Sequence, residues 1–136
     1  MPDSIVLDTS AVMAILDNEP EASYVSDILA GAIASGDTLL MPFVVLVEIE
    51  YLLIRRHGES QSPAYLALLE GWPAEIVESN ASWRSETARI KAAGDISFAD
   101  AWVASLGILR NATVLHKDPQ FERVSGLKTI NIGRKR

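Results

Sequence analysis

Residues 4–16 read SIVLDTSAVMAIL, and the architecture can be built outward from them. Ser4–Asp8 is a short apolar run closed by an acid, the pattern of a strand buried inside a sheet. Asp8, Thr9 and Ser10 are cap-forming residues, and Ala11–Leu16 continue as a short helix. A buried strand that passes directly into a helix is the first half of a βαβ unit. It implies parallel strands covered on both faces. An acid closing such a strand stands at the carboxyl edge of the sheet, where open α/β sheets bind their ligands.

The same alternation continues along the chain. Glu21–Ser35 carries Val25, Ile28, Leu29, Ala32 and Ile33 at helical spacing, and Gly36-Asp37 then forms a turn. Thr38–Met41 reads as a second buried strand. Pro42 opens a helix over Phe43–His57 that Gly58 ends. Ser60–Glu70 is a further helix, Glu75–Glu78 an edge strand, and Ala81–Ala93 a helix stopped by Gly94. Ser97–Leu109 opens on a Ser-x-x-Asp capping box, and Ala112–His116 is a strand. Asp118-Pro119 starts a short helix through Arg123, and Lys128–Ile132 is the last strand. No linker, repeat or low-complexity segment interrupts the pattern. The expectation is one α/β domain over residues 1–132, a central parallel sheet with helices on both faces, followed by a basic tail at 133–136.

Composition narrows the function. The chain has 136 residues, no cysteine, and a formal charge of −6. Without cysteine there is no disulfide framework, zinc ribbon or thiol catalysis. No apolar run reaches the roughly 18 residues of a membrane span, so no membrane partner is expected. MPDSIVLD lacks the basic start of a secretory signal, and a cytoplasmic location fits. The charge is split. Residues 1–54 hold nine acids and no Lys or Arg, whereas residues 55–136 hold nine acids and all 12 basic residues. An acidic chain is a poor electrostatic binder of nucleic acid unless a local basic surface or a bound cation intervenes.

Four acids fall near the carboxyl edge. Asp8 closes the first strand, Asp118 follows the fourth, and Asp100 stands in the first turn of the helix that leads back to that strand. Glu48 lies mid-helix with Val44, Val45, Tyr51 and Leu52 at helical spacing, none able to pair with it. A carboxylate in such surroundings must be protonated, paired or metal-bound. Glu50 has a similar neighbourhood, and spacing alone does not choose between them. Converging carboxylates repel one another, and a divalent cation relieves that repulsion. Oxygen ligands without cysteine or clustered histidine suit Mg²⁺ or Mn²⁺. The implied chemistry is metal-assisted hydrolysis of a phosphate ester.

At these residues the chain resembles the PIN-domain ribonucleases, most closely the VapC-like toxins of bacterial toxin–antitoxin pairs. Asp8 in IVLDTSAVMAIL matches the first family acid, Glu48 in LVEIEYLL the second, Asp100 in ISFADAWVASLG the third and Asp118 in VLHKDPQF the fourth. The resemblance favours Glu48 over Glu50. It implies a Mg²⁺- or Mn²⁺-dependent endoribonuclease with RNA as substrate, usually a homodimer, silenced by a cognate antitoxin. All four acids would be catalytic and metal-binding. One departure is His116, where the family often has Thr or Ser two residues before the fourth acid.

Competing readings stay open at this level. Asp8, Asp100 and Asp118 each make sense as helix caps. Thr9 and Ser10 read more naturally as caps than as partners of the acids. His116 reads as a strand-end hydrogen bonder or a base. Trp72, Trp83 and Trp102 read as core or interface residues. Arg55, Arg56, Arg84, Arg89, Lys91 and Arg134–Arg136 read as solvated charges, some of which could line an RNA groove. A phosphatase with an aspartyl nucleophile would carry a second Asp where this chain has Ser10. A receiver-type module would carry an Asp pair, which is absent. A housekeeping PIN nuclease without antitoxin is the alternative within the family. Weak RNA affinity without a divalent ion is expected.

Overall fold

The computed structural model describes residues 3–133, so Arg134–Arg136 of the expected tail lie outside the described residues. The strands are β1 (Ser4–Leu7), β2 (Thr38–Pro42), β3 (Ala74–Val77), β4 (Thr113–His116) and β5 (Lys128–Asn131). The helices are α1 (Thr9–Leu16), α2 (Ala22–Ala34), α3 (Phe43–His57), α4 (Ser62–Glu70), α5 (Ala81–Ala93) and α6 (Phe98–Arg110). A short 3₁₀ helix spans Pro119–Arg123. The strands form one parallel sheet in the order β3-β2-β1-β4-β5. The chain moves outward from β1 through β2 to β3, then returns to β4 on the other side of β1. Right-handed crossovers running in opposite directions place their helices on opposite faces. The edge strand over residues 75–78 is present as β3, paired with β2 alone.

This order puts the topological switch point between β1 and β4, which pair Ile5 with Thr113 and Leu7 with Leu115. Both strands are buried along nearly their whole length. Asp8 does not extend β1. It is the N-cap of α1, with an extended backbone, and its side chain accepts the Ser10 N–H. The helix therefore starts at Thr9, two residues ahead of the sequence expectation.

α6 is deeply embedded, with Ala101–Gly107 all buried. It is tied to α5 by a buried polar network. Trp83 Nε1 donates to the Trp102 carbonyl at 3.0 Å and to Ser105 Oγ at 2.8 Å. Thr87 Oγ1 and Ser105 Oγ are 2.7 Å apart. Phe43 sets its ring against both indoles, with centroids at 5.7 and 5.0 Å. Trp83 and Trp102 are thus core residues, as read, and buried polar groups that are all satisfied lock the helix pair in one register. α6 ends on Asn111, whose left-handed backbone (φ 50°) closes the helix where glycine is commoner.

Gly107 is where α6 presses closest to the sheet. A Cβ there would lie 2.7 Å from Leu127 Cδ1 and 2.9 Å from Val114 Cγ2. Gly31 in α2 has nothing within 4 Å. Gly107→Ala is expected to destabilise the fold, because overpacking of about 1–3 kcal/mol exceeds the roughly 1 kcal/mol gained in helix propensity. Gly31→Ala should stabilise it by up to about 1 kcal/mol. Urea unfolding of both variants checks this, and equal shifts would refute the close packing at Gly107.

Candidate active site

The four acids read from the sequence line one cavity of about 520 Å³ at the carboxyl edge of the sheet. Asp8 reaches it from the end of β1, Asp118 from the segment after β4, Asp100 from the first turn of α6 and Glu48 from α3. Glu50 lines a different cavity with Leu66 and Trp72. The ambiguity between Glu48 and Glu50 is thus resolved by position: two residues along a helix is more than half a turn, and only one of them faces the sheet edge.

Local structure fixes one oxygen of three of these acids. Asp8 Oδ2 accepts from Ser10 Oγ at 2.7 Å and from Ser10 N at 3.3 Å. Glu48 Oε1 accepts from Thr9 Oγ1 at 2.6 Å. Asp118 Oδ1 accepts the Gln120 N–H at 2.9 Å as the cap of the 3₁₀ helix. Asp118 therefore plays both its roles. Ser97 caps α6 by accepting the Asp100 N–H at 3.1 Å, but only half of a capping box forms. The Ser97 N–H donates to Gln120 Oε1 instead, at 3.2 Å, so the Asp100 carboxylate is left to face the cavity.

Thr9 and Ser10 do more than their cap-like sequence suggests. Ser10 Oγ donates to Asp8 and also accepts the Lys117 N–H at 3.0 Å, so one hydroxyl stitches the start of α1 to the end of β4. Thr9 reaches across 39 residues to Glu48. No local signal marks these roles, since both residues fit a helix start equally well. His116 is fully buried, with its ring against Phe121 at 4.7 Å, and does not line the cavity. Its carbonyl accepts the Ile132 N–H at 2.8 Å. The strand-end reading holds for its backbone, and its burial removes it as a base for a ligand in this cavity.

The electrostatics are those of crowded acids. Asp8 is 4% exposed, and its Oδ1 is buried with no hydrogen-bond partner. Burial pushes its pKa up to about 6, against the pull of Ser10 and with the push of Glu48. Asp100 is pushed up to about 7 by burial and then by repulsion from Asp8, Asp118 and Glu48. Among the described residues no three acids or histidines are gathered tightly enough to hold one ion. The donor set nevertheless suits a hard divalent cation: oxygen atoms only, one of them buried and unpaired, on acids that raise each other's pKa.

Two cations stand at the mouth. Arg56 and Lys117 line the same cavity, together with Glu19. Lys117 Nζ lies 2.5 Å from Glu19 and 2.9 Å from Glu21. Partial burial disfavours its charge, but these partners outweigh that and raise its pKa. Arg56 pairs with Asp17 at 2.5 Å and approaches Glu19 at 3.6 Å. Lys117 carried no signal in the sequence beyond standing directly before Asp118.

With this geometry in view, a family model described as PIN domain matches residues 5–127. The fold superimposes on VapBC2 from Rickettsia felis bound to a promoter DNA fragment with a TM-score of 0.77 at 21% identity. That match covers 94% of this chain and 98% of the other. DNA-bound VapBC from Salmonella typhimurium gives 0.76 at 18% identity, covering 96% and 98%. Mycobacterium tuberculosis VapC20, a sarcin–ricin loop cleaving toxin, gives 0.72 at 18% identity, covering 90% and 95%. At such identities the likeness establishes the fold. No curated protein matches the chain significantly in sequence.

Raised carboxylate pKa values predict a pH dependence. Between about pH 4 and pH 7 the folded metal-free chain holds protons on Asp8 and Asp100 that the unfolded chain has lost, so stability falls as pH rises. For Asp8 the rise from 3.8 to about 6 corresponds to roughly 3 kcal/mol. In EDTA the Tm of Asp8→Asn, relative to wild type, should climb across that range. Mg²⁺ at pH 8 should raise the wild-type Tm. A wild-type-to-variant difference that does not change with pH would contradict the burial assigned to Asp8.

Proposed function

The chain belongs to the PIN-domain family, whose members are nucleases, and we propose that it is a metal-dependent endoribonuclease that hydrolyses RNA phosphodiester bonds. We further propose that it is the toxin of a VapBC-type pair, a cytoplasmic homodimer inhibited by a cognate antitoxin. The observation that carries the nuclease reading is the convergence of Asp8, Glu48, Asp100 and Asp118, from four separate elements, on one cavity at the switch point of the sheet. Helix capping alone accounts for Asp8 or Asp118, but not for Glu48, which caps nothing.

In this reading the four acids hold Mg²⁺ or Mn²⁺, with the nuclease domain spanning residues 1–132. Such an ion would supply Lewis-acid polarisation of the phosphodiester and would lower the pKa of a water. The protein's part is orientation. Ser10 holds Asp8 Oδ2 and leaves Oδ1 for the cation. Thr9 holds Glu48 Oε1, and the Gln120 N–H holds Asp118 Oδ1, so each acid offers its second oxygen in a fixed direction. Ser97 anchors the first turn of α6, from which Asp100 faces the cavity.

The toxin reading draws on the solved neighbours, which are VapBC complexes. The acids are also flanked by apolar side chains that water does not favour. Phe98 is 66% exposed two residues before Asp100, and Val47 is 62% exposed beside Glu48. Exposed apolar side chains of this kind are suited to cover by a protein partner.

RNA cleavage should require Mg²⁺ or Mn²⁺ and stop in EDTA. Ser10→Ala and Thr9→Val, which remove outer partners, should cost about 10–100-fold in rate. Asp8→Asn and Asp100→Asn should cost more than that. Cleavage that survives both chelation and Asp8→Asn refutes the mechanism. For the toxin reading, the product of a small neighbouring reading frame should co-purify with the chain and suppress cleavage. An encoding locus with no such product favours a nuclease that acts without an antitoxin.

A further inference from the structure

The cavity poses a charge problem that the nuclease reading leaves open. Four carboxylates with one divalent ion still carry a surplus of negative charge, and an RNA phosphate entering there is repelled. The side chains placed to offset this are the two cations lining the same cavity, Arg56 and Lys117. They come from different elements, the last turn of α3 and the segment after β4, so they span the mouth. Lys117 is also held in register with the acids, because Ser10 Oγ accepts its N–H while donating to Asp8.

Both cations are occupied by acids of the turn between α1 and α2. Glu19 Oε1 lies 2.5 Å from Lys117 Nζ, and Glu19 Oε2 lies 3.6 Å from Arg56, so one carboxylate bridges the pair. Asp17 Oδ2 also holds Arg56, at 2.5 Å, while its Oδ1 accepts from the His57 Nε2–H at 2.8 Å. The turn backbone is fixed: the Glu19 N–H donates to the Ala14 carbonyl at 2.8 Å, and Asn18 adopts a left-handed conformation (φ 50°). The Glu19 side chain, by contrast, is a quarter exposed and Arg56 is 43% exposed. The Glu19–Arg56 pair, long at 3.6 Å and open to water on the arginine side, adds little net stability and exchanges readily for another anion.

We infer that Arg56 and Lys117 are the positioning residues that hold RNA phosphates at the mouth of the cavity, and that Glu19 occupies their place until RNA displaces it. The assignment rests on the nuclease reading. A carboxylate bridging two cations reproduces the charge and the acceptor geometry of a phosphate group. The turn is thereby a built-in competitor of the substrate. It weakens binding of any RNA that cannot supply a phosphate to both cations at once.

The test is binding of a fluorescently labelled single-stranded RNA to the full chain in Mg²⁺, followed by anisotropy over a range of salt, with KM and kcat from cleavage of the same RNA. Lys117→Met and Arg56→Met should each raise Kd and KM more than they lower kcat. Each should also reduce the salt slope of binding by about 0.7, the loss of one phosphate contact to a single strand. Glu19→Gln should act in the opposite direction and tighten binding. Arg84→Met on α5, an exposed cation away from the cavity, should leave Kd and slope as they are. The opposite signs at Glu19 and Lys117 separate this from damage to the fold, which would weaken binding in both. Wild-type binding that Lys117→Met, Arg56→Met and Glu19→Gln all leave unmoved overturns the assignment and leaves the nuclease reading standing. RNA that the wild-type chain neither binds nor cuts overturns both.

Discussion

The buried carboxylate of Asp8 is the constraint around which the rest is arranged. It is 4% exposed, and one of its oxygens has no protein partner. Placing a charge there is unfavourable unless something outside the fold satisfies it. The surroundings do not remove the problem. Ser10 satisfies one oxygen, while Glu48 and Asp100 bring further negative charge to the same cavity. A fold optimised for stability alone would place a neutral side chain at the end of β1. Keeping the acid there is a cost set against chemistry, as expected of sites that break local rules for function.

Supporting that constraint requires rigidity elsewhere. Asp100 can face Asp8 only if α6 holds its depth and rotation against the sheet. Close approach at Gly107 sets the depth, and the Trp83–Ser105–Thr87 network sets the rotation. Phe43, the first residue of α3, packs against both indoles and so couples the Glu48 helix to the same block. The aromatic core and the acid cavity are thus one mechanical unit. A change in the packing of α5 reaches the acids through α6.

Much of this was legible in the chain. Every strand and helix expected from apolar spacing and turn residues is present, because short buried strands and capped amphipathic helices carry strong local signals. The four acids were legible through their flanking patterns. Their bland roles were legible too, and two of those are real: Asp8 caps α1 and Asp118 caps the 3₁₀ helix. Cap and site coexist because a carboxylate has two oxygens, and the backbone N–H needs only one. The capping box at Ser97 is the instructive partial miss. The sequence Ser-x-x-Asp is correct for it, yet Gln120, 23 residues away, takes the reciprocal bond and leaves the Asp100 carboxylate to the cavity.

The order of elements, the parallel sheet and the acids that reach its carboxyl edge follow from the chain's own local pattern. These depend on periodicity and on residue chemistry within a few positions. Only the tertiary structure shows which groups share a boundary: Thr9 on Glu48, Ser10 between Asp8 and Lys117, and Glu19 bridging Lys117 and Arg56. Each of these joins residues from separate elements. Their proximity is created by strand order and helix rotation, and the energies that choose between partners act through space over a few ångströms, where the chain's own numbering carries no information.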